Sequence, residues 1–339
     1  MQRGTSTGPP TMESKIDALM PDYSGSGPGA SVLVARDGEV LFHKGYGLAS
    51  LEDRTAATSS TGFRLASITK QFTASAILLL VERRKLGLDD PIRRRLPELP
   101  AWGDAITIRD LLTHSSGIID YEDILPPGTT AQLHDIDVLH MVAKEQETYF
   151  APGTGYRYSN GGYALLSLIV ERASGRRFAD FLHENIFVPA GMKSTLAFEE
   201  GKSTVPHRAF GYSRAQSGWT RTDQSLTSAV LGDGGVYSSV DDLALWMSAL
   251  EKGTVLSSSS IELASLPSVN TDDPAVRYGF GWRVSLHGNA RMIWHSGESI
   301  GFRNALLRFP DKGLSVIVLT NRNEGEPKTI ALAIADLFQ

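Results

Sequence analysis

The sequence predicts an α/β (α+β) protein: one mixed, mostly antiparallel sheet, flanked by terminal helices, with a mainly helical domain inserted into it. Three observations carry this. Two strand-like runs flank Asp37-Gly38 in "ASVLVARDGEVLFHKGYGLAS" (Ala30 to Ser50), the mark of a hairpin with a two-residue turn. Strand patterns then return only late, at 277–286, 290–295, 302–309 and 314–320, with turn residues between them. The long middle is helix and loop. Strands at both ends of a chain with helices between predict a sheet built from both termini. The expected division is an N-terminal tail over 1–25, a discontinuous sheet domain from 26–80 and 230–339, and a helical domain over 81–229.

The elements follow in order. "MQRGTSTGPPTMES" lacks the apolar core of a signal peptide. It reads as a polar tail, or as what stands where a signal was removed, so the compartment stays open. Ser67 to Lys85 reads as a helix, with Gly87 at its C′ position and Pro91 preventing resumption. Arg83, Arg84 and Lys85 fall in its last turn, where the helix dipole favours cations. Arg93 to Arg95 reads as a solvated loop. "TIRDLLTHSSGI" (107–118) is a short helix ending in a Ser/Gly turn. "GGYALLSLIVERASG" (161–175) is a buried helix closed by Gly175. "SVDDLALWMSAL" (239–250) has a serine cap and acidic residues in its first turn. A last helix follows at 327–338.

Bulk properties exclude several functions. Hydrophobic residues make up 41% and charged residues 21%, the profile of a folded globule. A net charge of −5 gives no electrostatic footprint for nucleic acid. No run reaches the roughly 18 apolar residues of a membrane span. Cysteine is absent, which removes disulfides, thiolate metal sites and a cysteine nucleophile. No Gly-x-Ser-x-Gly elbow occurs. Gly201-Lys202-Ser203 ends like a phosphate loop, but Leu196 stands where a glycine is required. His183-Glu184 starts like a zinc motif, but Phe187 stands where the second histidine belongs. No metal or cofactor is expected.

Ser67-x-x-Lys70 remains. At i,i+3 on a helix the two side chains share a face, with Cβ atoms roughly 5–6 Å apart. A serine hydroxyl is a poor nucleophile until a base takes its proton, and a nearby lysine can be that base. A helix start would add free N–H groups and the positive end of the dipole. Two further signals follow. Tyr158-Ser159-Asn160 lies after a Pro-Gly loop and before the buried helix, on an exposed turn. His295-Ser296-Gly297 ends one strand just before another. Each is weak alone; His43-Lys44-Gly45 also fits His-x-Gly.

The ordered set is more specific than its members. Ser-x-x-Lys at a helix start, then Tyr-x-Asn, then His-x-Gly on a late strand resembles the serine β-lactamase and penicillin-binding-protein superfamily. More narrowly, the chain resembles the class C β-lactamase-like serine hydrolases, among them esterases, D-aminopeptidases and alkaline D-peptidases. "LLTHSSGI" (111–118), "YSNGGYALL" (158–166), "GDGGVYSSVDDLALW" (232–246) and "HSGESIGFRN" (295–304) extend the match over roughly residues 30 to 325. The resemblance implies that Ser67 is the acylated nucleophile and Lys70 its base, alone or with Tyr158. Tyr158 would return a proton to the leaving group, and Asn160 would bond the acyl side of the substrate. The N–H groups of Ser67 and Glu298, just after His295-Ser296-Gly297, would form the oxyanion hole. His295 stands where many relatives carry a lysine, which weakens the cation for a β-lactam carboxylate; Arg303 is near enough in sequence to substitute. The expected substrate is a small ester, amide or peptide, with weak action on β-lactams. The alternative is a penicillin-recognising or peptidoglycan-sensing module that acylates without turnover. The sequence leaves the oligomeric state open.

Overall fold

The computed structural model describes residues 10–338. Eight strands form the main sheet: β1 (Ala30–Arg36), β2 (Glu39–Tyr46), β3 (Val269–Asn270), β4 (Arg277–Tyr278), β5 (Arg283–His287), β6 (Ala290–Ser299), β7 (Phe302–Phe309) and β8 (Leu314–Thr320). Their order is β3-β4-β5-β6-β7-β8-β1-β2, and each neighbouring pair is antiparallel. The two ends of the chain meet where β1 pairs with β8, from Ala30↔Thr320 to Arg36↔Leu314. Asp37 and Gly38 both have positive φ (51° and 78°), as a two-residue hairpin turn requires.

Side chains alternate across the sheet. Val32, Val34, Trp294, Leu307, Val316 and Val318 face the terminal helices α1 (Met12–Asp17) and α7 (Pro327–Asp336), packing on Ile16, Ala331 and Ile334. Leu33, Ile293, Leu306, Ile317 and Leu319 face the other way. That second face carries α2 (Lys70–Glu82), and beyond it α3 (Ile108–Leu112), α4 (Asp135–Val142) and α5 (Asn160–Ser174); α6 (Val240–Lys252) lies beside β1. Every residue of α2 from Lys70 to Leu80 is buried, so this is a helix inside the molecule and not on its surface. α5 is buried from Gly161 to Val170 and ends at Gly175, whose φ of 72° closes it in the left-handed region.

Several expectations are corrected. Residues 1–9 of the supposed tail lie outside the described residues. The rest is not a tail: Thr11 caps α1, Lys44 bridges Glu13 and Asp17, and Ile16, Met20 and Tyr23 are buried. Three apolar residues in a short polar stretch are too few for their period to stand out. The helix expected from Ser67 to Lys85 begins as a 3-10 turn, Ala66–Thr69, and becomes α-helical only at Lys70. It ends at Glu82, and Arg84, not Gly87, takes the positive φ (57°). Gly87 instead donates its N–H to Asp90 Oδ2; Arg93 is tied down by the Leu99 carbonyl and Asp104 and Arg95 by the Lys85 carbonyl, while Arg94 is exposed, as expected, beside Asp90. The 107–118 helix stops at Leu112; its Thr107–Asp110 capping box is present, but His114 turns to φ 60°. The 277–286 run divides at a turn into β4 and β5. β6 continues four residues past His295, so the His-Ser-Gly segment lies within a strand, not at its end.

Candidate active site

Ser67 is held by a strained turn. Phe63–Arg64 pairs with Val236–Ser238, and the Leu65 N–H donates to the Val236 carbonyl at 2.8 Å. Ala66 then takes φ 50°, an uncommon and costly conformation for a residue with a side chain. Asn304 fixes this turn from the sheet, donating from Nδ2 to the Arg64 carbonyl at 2.8 Å. β6 lies against the same turn because residue 297 is glycine: a Cβ there would fall 2.0 Å from the Leu65 carbonyl oxygen. The i,i+3 spacing survives the change of helix type, since side chains three apart eclipse in a 3-10 turn.

Lys70 is completely buried, and its Nζ has three acceptors: Ser67 Oγ at 3.2 Å, Asn160 Oδ1 at 2.8 Å and the Asp233 carbonyl at 2.9 Å. These match the three hydrogens of an ammonium. Two of the acceptors can only accept. The serine hydroxyl can also donate, so the Ser67–Lys70 bond alone can reverse and pass a proton to a neutral amine. The Tyr158 and Tyr163 rings close over Nζ, with centroids at 4.9 and 5.4 Å.

Tyr158 is half-buried, not on the exposed turn expected. Its hydroxyl is buried and has no hydrogen-bond partner among the described residues. Next to it, Ser159 caps α5 by accepting from the Gly162 N–H and donating to Asp120. Asn160 is spanned between Lys70 and Glu122, donating from Nδ2 to Glu122 Oε2 at 3.2 Å.

His295 is buried and does not touch Ser67 or Lys70 by hydrogen bond. Its Nδ1 lies 2.6 Å from the Ser296 carbonyl and its Nε2 3.0 Å from the Tyr278 hydroxyl. A carbonyl only accepts, so Nδ1 carries the proton and Nε2 accepts from Tyr278. Burial first, then the Arg283 charge, hold this histidine well below its usual range, so it is neutral at physiological pH.

Arg303 does not take the place of the missing lysine. It stands opposite Glu298, on the sheet face that carries Trp294 and Leu307, whereas its neighbour Asn304 faces the Ser67 turn. Its guanidinium lies 3.7 Å from both Glu298 and Glu326 and donates to the Gly325 carbonyl. Strand alternation, invisible in sequence distance, turns it away. The Ser296 and Glu298 side chains share that outer face, so any part that Glu298 plays at Ser67 must be through its backbone. The cation that does reach the aromatic side of the site is Arg283, 5.6 Å from the Tyr158 ring centroid.

Sequence reasoning singled out neither His114 nor Tyr278, nor Asp233 and Glu122. His114 sits within a stretch that carries the family resemblance, which was its only signal. Burial raises the Asp233 carboxyl to about 7. Beside Asn160 and Tyr158 opens a recess of about 330 Å³ whose wall includes Asp120, Glu122, Asp123 and Asp272. Arg157 pairs with Asp123; among the described residues the others form no salt bridge. Burial, then the Asp120 charge, raise the Glu122 carboxyl, and the nearby Lys70 charge only partly offsets them.

The family model for Beta-lactamase matches residues 12–339. Penicillin-binding protein 4* of Bacillus subtilis (strain 168) is 34% identical over 87% of this chain and 68% of its own length. A D-aminopeptidase of Brucella ovis is 30% identical over 95% of this chain; the match spans 61% of that enzyme's length. Among solved structures, the D-amino acid amidase from Ochrobactrum anthropi SV3 superposes with a TM-score of 0.77 at 26% identity, covering 95% of this chain and 97% of the amidase.

Proposed function

This chain belongs to the Beta-lactamase family, and from that premise we propose that it hydrolyses small amides and peptides bearing a free amine, through an acyl-enzyme on Ser67. The family and its relatives make it a serine hydrolase. The observation that carries the finer reading is the acidic recess beside Asn160 and Tyr158. An excess of carboxylates over cations at the edge of a reaction centre favours an ammonium group on the substrate. The names of two relatives, D-aminopeptidase and D-amino acid amidase, support the same class and point to D-amino acids.

The proposed sequence is as follows. Ser67 Oγ attacks the substrate carbonyl while its proton passes to Lys70 Nζ across the 3.2 Å contact. The N–H groups of Ser67 and Glu298 stabilise the oxyanion. The Tyr158 hydroxyl delivers a proton to the leaving nitrogen, and the C–N bond breaks. The proton held by Lys70 then restores the Tyr158 phenol, leaving the amine neutral; water attacks the ester on Ser67, its proton passes to Lys70 and from there to Ser67 Oγ as the acyl C–O bond breaks, and the acid leaves.

The test compares D-alanine p-nitroanilide with its N-acetyl derivative. The free amine is expected to have the higher kcat/KM by about 10–100-fold, the range of a charge-assisted contact. Equal values, or a preference for the acetylated compound, would remove the amine reading. A stable adduct with no turnover on either would instead favour a module that only acylates.

A further inference from the structure

We propose that His114 is a positioning residue that sets the Tyr158 phenol for proton transfer. The inference rests on the role proposed for Tyr158. The residues on both sides of Tyr158 bond to His114: the Arg157 N–H donates to its carbonyl at 3.0 Å, and the Ser159 N–H to its Nδ1 at 3.1 Å. Between these clamps the two rings lie against each other, with centroids 4.3 Å apart and planes tilted by 38°. Tyr278 and Tyr163 press on the other sides of the imidazole at 4.6 and 5.1 Å. His114 is 1% exposed, and the backbone takes φ 60° to put it there. A residue held in that conformation, against its own preference, is over-determined by its surroundings.

The chemistry of the ring fits the task. Nδ1 accepts from a backbone N–H, so the proton sits on Nε2, which is buried and has no hydrogen-bond partner among the described residues. Burial, then the nearby Lys70 charge, keep the imidazole neutral, so Nδ1 stays an acceptor through the working pH range. An apolar side chain would fill the space but leave the Ser159 N–H unpaired. Asparagine would keep an acceptor at nearly the same place and tolerates a positive φ. The Tyr158 hydroxyl has no hydrogen bond among the described residues, so its placement depends on the two clamps and on ring contacts, of which the one with His114 is the nearest, ahead of Tyr278 and His295 at 6.2 and 6.3 Å.

The experiment is a double-mutant cycle on the full chain, with melting temperature recorded for each variant. His114→Leu is expected to lower kcat by about 10–100-fold with KM little changed, the scale of a misplaced catalytic group. His114→Asn should recover most of that loss. In a Tyr158→Phe background, His114→Leu should cost less than about two-fold, because the group it places is already gone. If His114→Leu does not fold, His114→Gly, which relaxes the backbone, takes its place in the cycle. Additive losses, or an asparagine variant as poor as leucine, would overturn the proposal while leaving the Tyr158 role intact. Full activity in Tyr158→Phe alone would overturn both.

Discussion

The two walls of the candidate site are held by different forces. On the Ser67–Lys70 wall the functional nitrogen is held by three hydrogen bonds, two of them to other segments, with two rings closing over it. On the Tyr158 wall the polar ends nearest the reaction are unpaired among the described residues. The Tyr158 hydroxyl and the Nε2 of His114 are buried without hydrogen-bond partners among the described residues, and position comes from ring packing. Hydrogen bonds fix a donor to within tenths of an ångström and hold its charge. Packing fixes a ring but leaves its polar tip free to meet a substrate. The first wall suits a base that must stay in register with Ser67, the second an acid that must reach a leaving group.

The largest effects belong to the first wall. Ser67→Ala should abolish hydrolysis of every substrate while the protein stays folded, since among the described residues the lost hydroxyl bonds only to Lys70. Lys70→Arg should be as inactive as Lys70→Ala, because a guanidinium does not deprotonate and the site offers no room for it. Activity in the arginine variant close to that of the unmodified protein would mean that Lys70 contributes charge alone.

The second wall should behave differently. Tyr158→Phe removes a hydroxyl that bonds to none of the described residues, so its melting temperature should hold or rise slightly. Its kcat should fall by about 10²–10⁴-fold, the usual contribution of a proton-transfer group. The reverse pattern, lost stability with rate preserved, would make the tyrosine structural and erase the contrast between the walls.

What could be read from the sequence is what is encoded locally. The Asp37-Gly38 turn, the Ser159 cap and Gly175 end of α5, and the Ser67–Lys70 pairing each depend on residues a few positions apart. The strand pattern at both ends was enough to place the sheet. The rest depends on long-range approach. Lys70 meets Asn160 and the Asp233 carbonyl across 90 and 163 residues of chain. His114 reaches Ser159 across 45. The positive φ of Ala66 is imposed by neighbours on two other segments, and alanine gives no hint of it. Arg303 looked close to the site in sequence, but a one-residue step along a strand reverses the face.

A smaller effect tests the charge buried behind the first wall. The Asp233 carbonyl holds Lys70, while its buried carboxylate accepts, among the described residues, only from the Tyr121 hydroxyl, at 3.1 Å. Burial raises this carboxyl from 3.8 to about 7. The folded state therefore holds its proton more tightly than the unfolded chain does. The group costs no stability below about 4, and progressively more as pH rises from there to about 7, above which the cost is complete. Asp233→Asn keeps an acceptor for Tyr121 and removes the charge. It should raise the melting temperature at pH 8 and change it little at pH 4. A gain that is equal at both values would show that the carboxylate does not titrate in this window.

The smallest expected effect is at Arg303, and it tests which sheet face the site uses. Its nearest charges are Glu298 and Glu326, both at 3.7 Å, and all three side chains are partly or largely exposed. Exposed pairs of this kind contribute about 0–1 kcal/mol, so losing them should hardly change stability. Its face of the sheet carries the terminal helices, and Ser67 lies on the other. Arg303→Ala should therefore leave kcat/KM within about two-fold for both p-nitrophenyl acetate and nitrocefin, the range of a surface substitution away from a site. The two substrates separate the explanations. Nitrocefin carries a carboxylate beside the reacting amide, and the ester has none. A cation that recognises that carboxylate would, on removal, cost nitrocefin about ten-fold or more and the ester nothing. A loss confined to nitrocefin would bring the Arg303 side chain to the substrate and contradict the alternation that turns it away. A loss on both substrates would point to the β6–β7 pairing, in which Arg303 stands opposite Glu298, and through it to the Glu298 N–H proposed for the oxyanion.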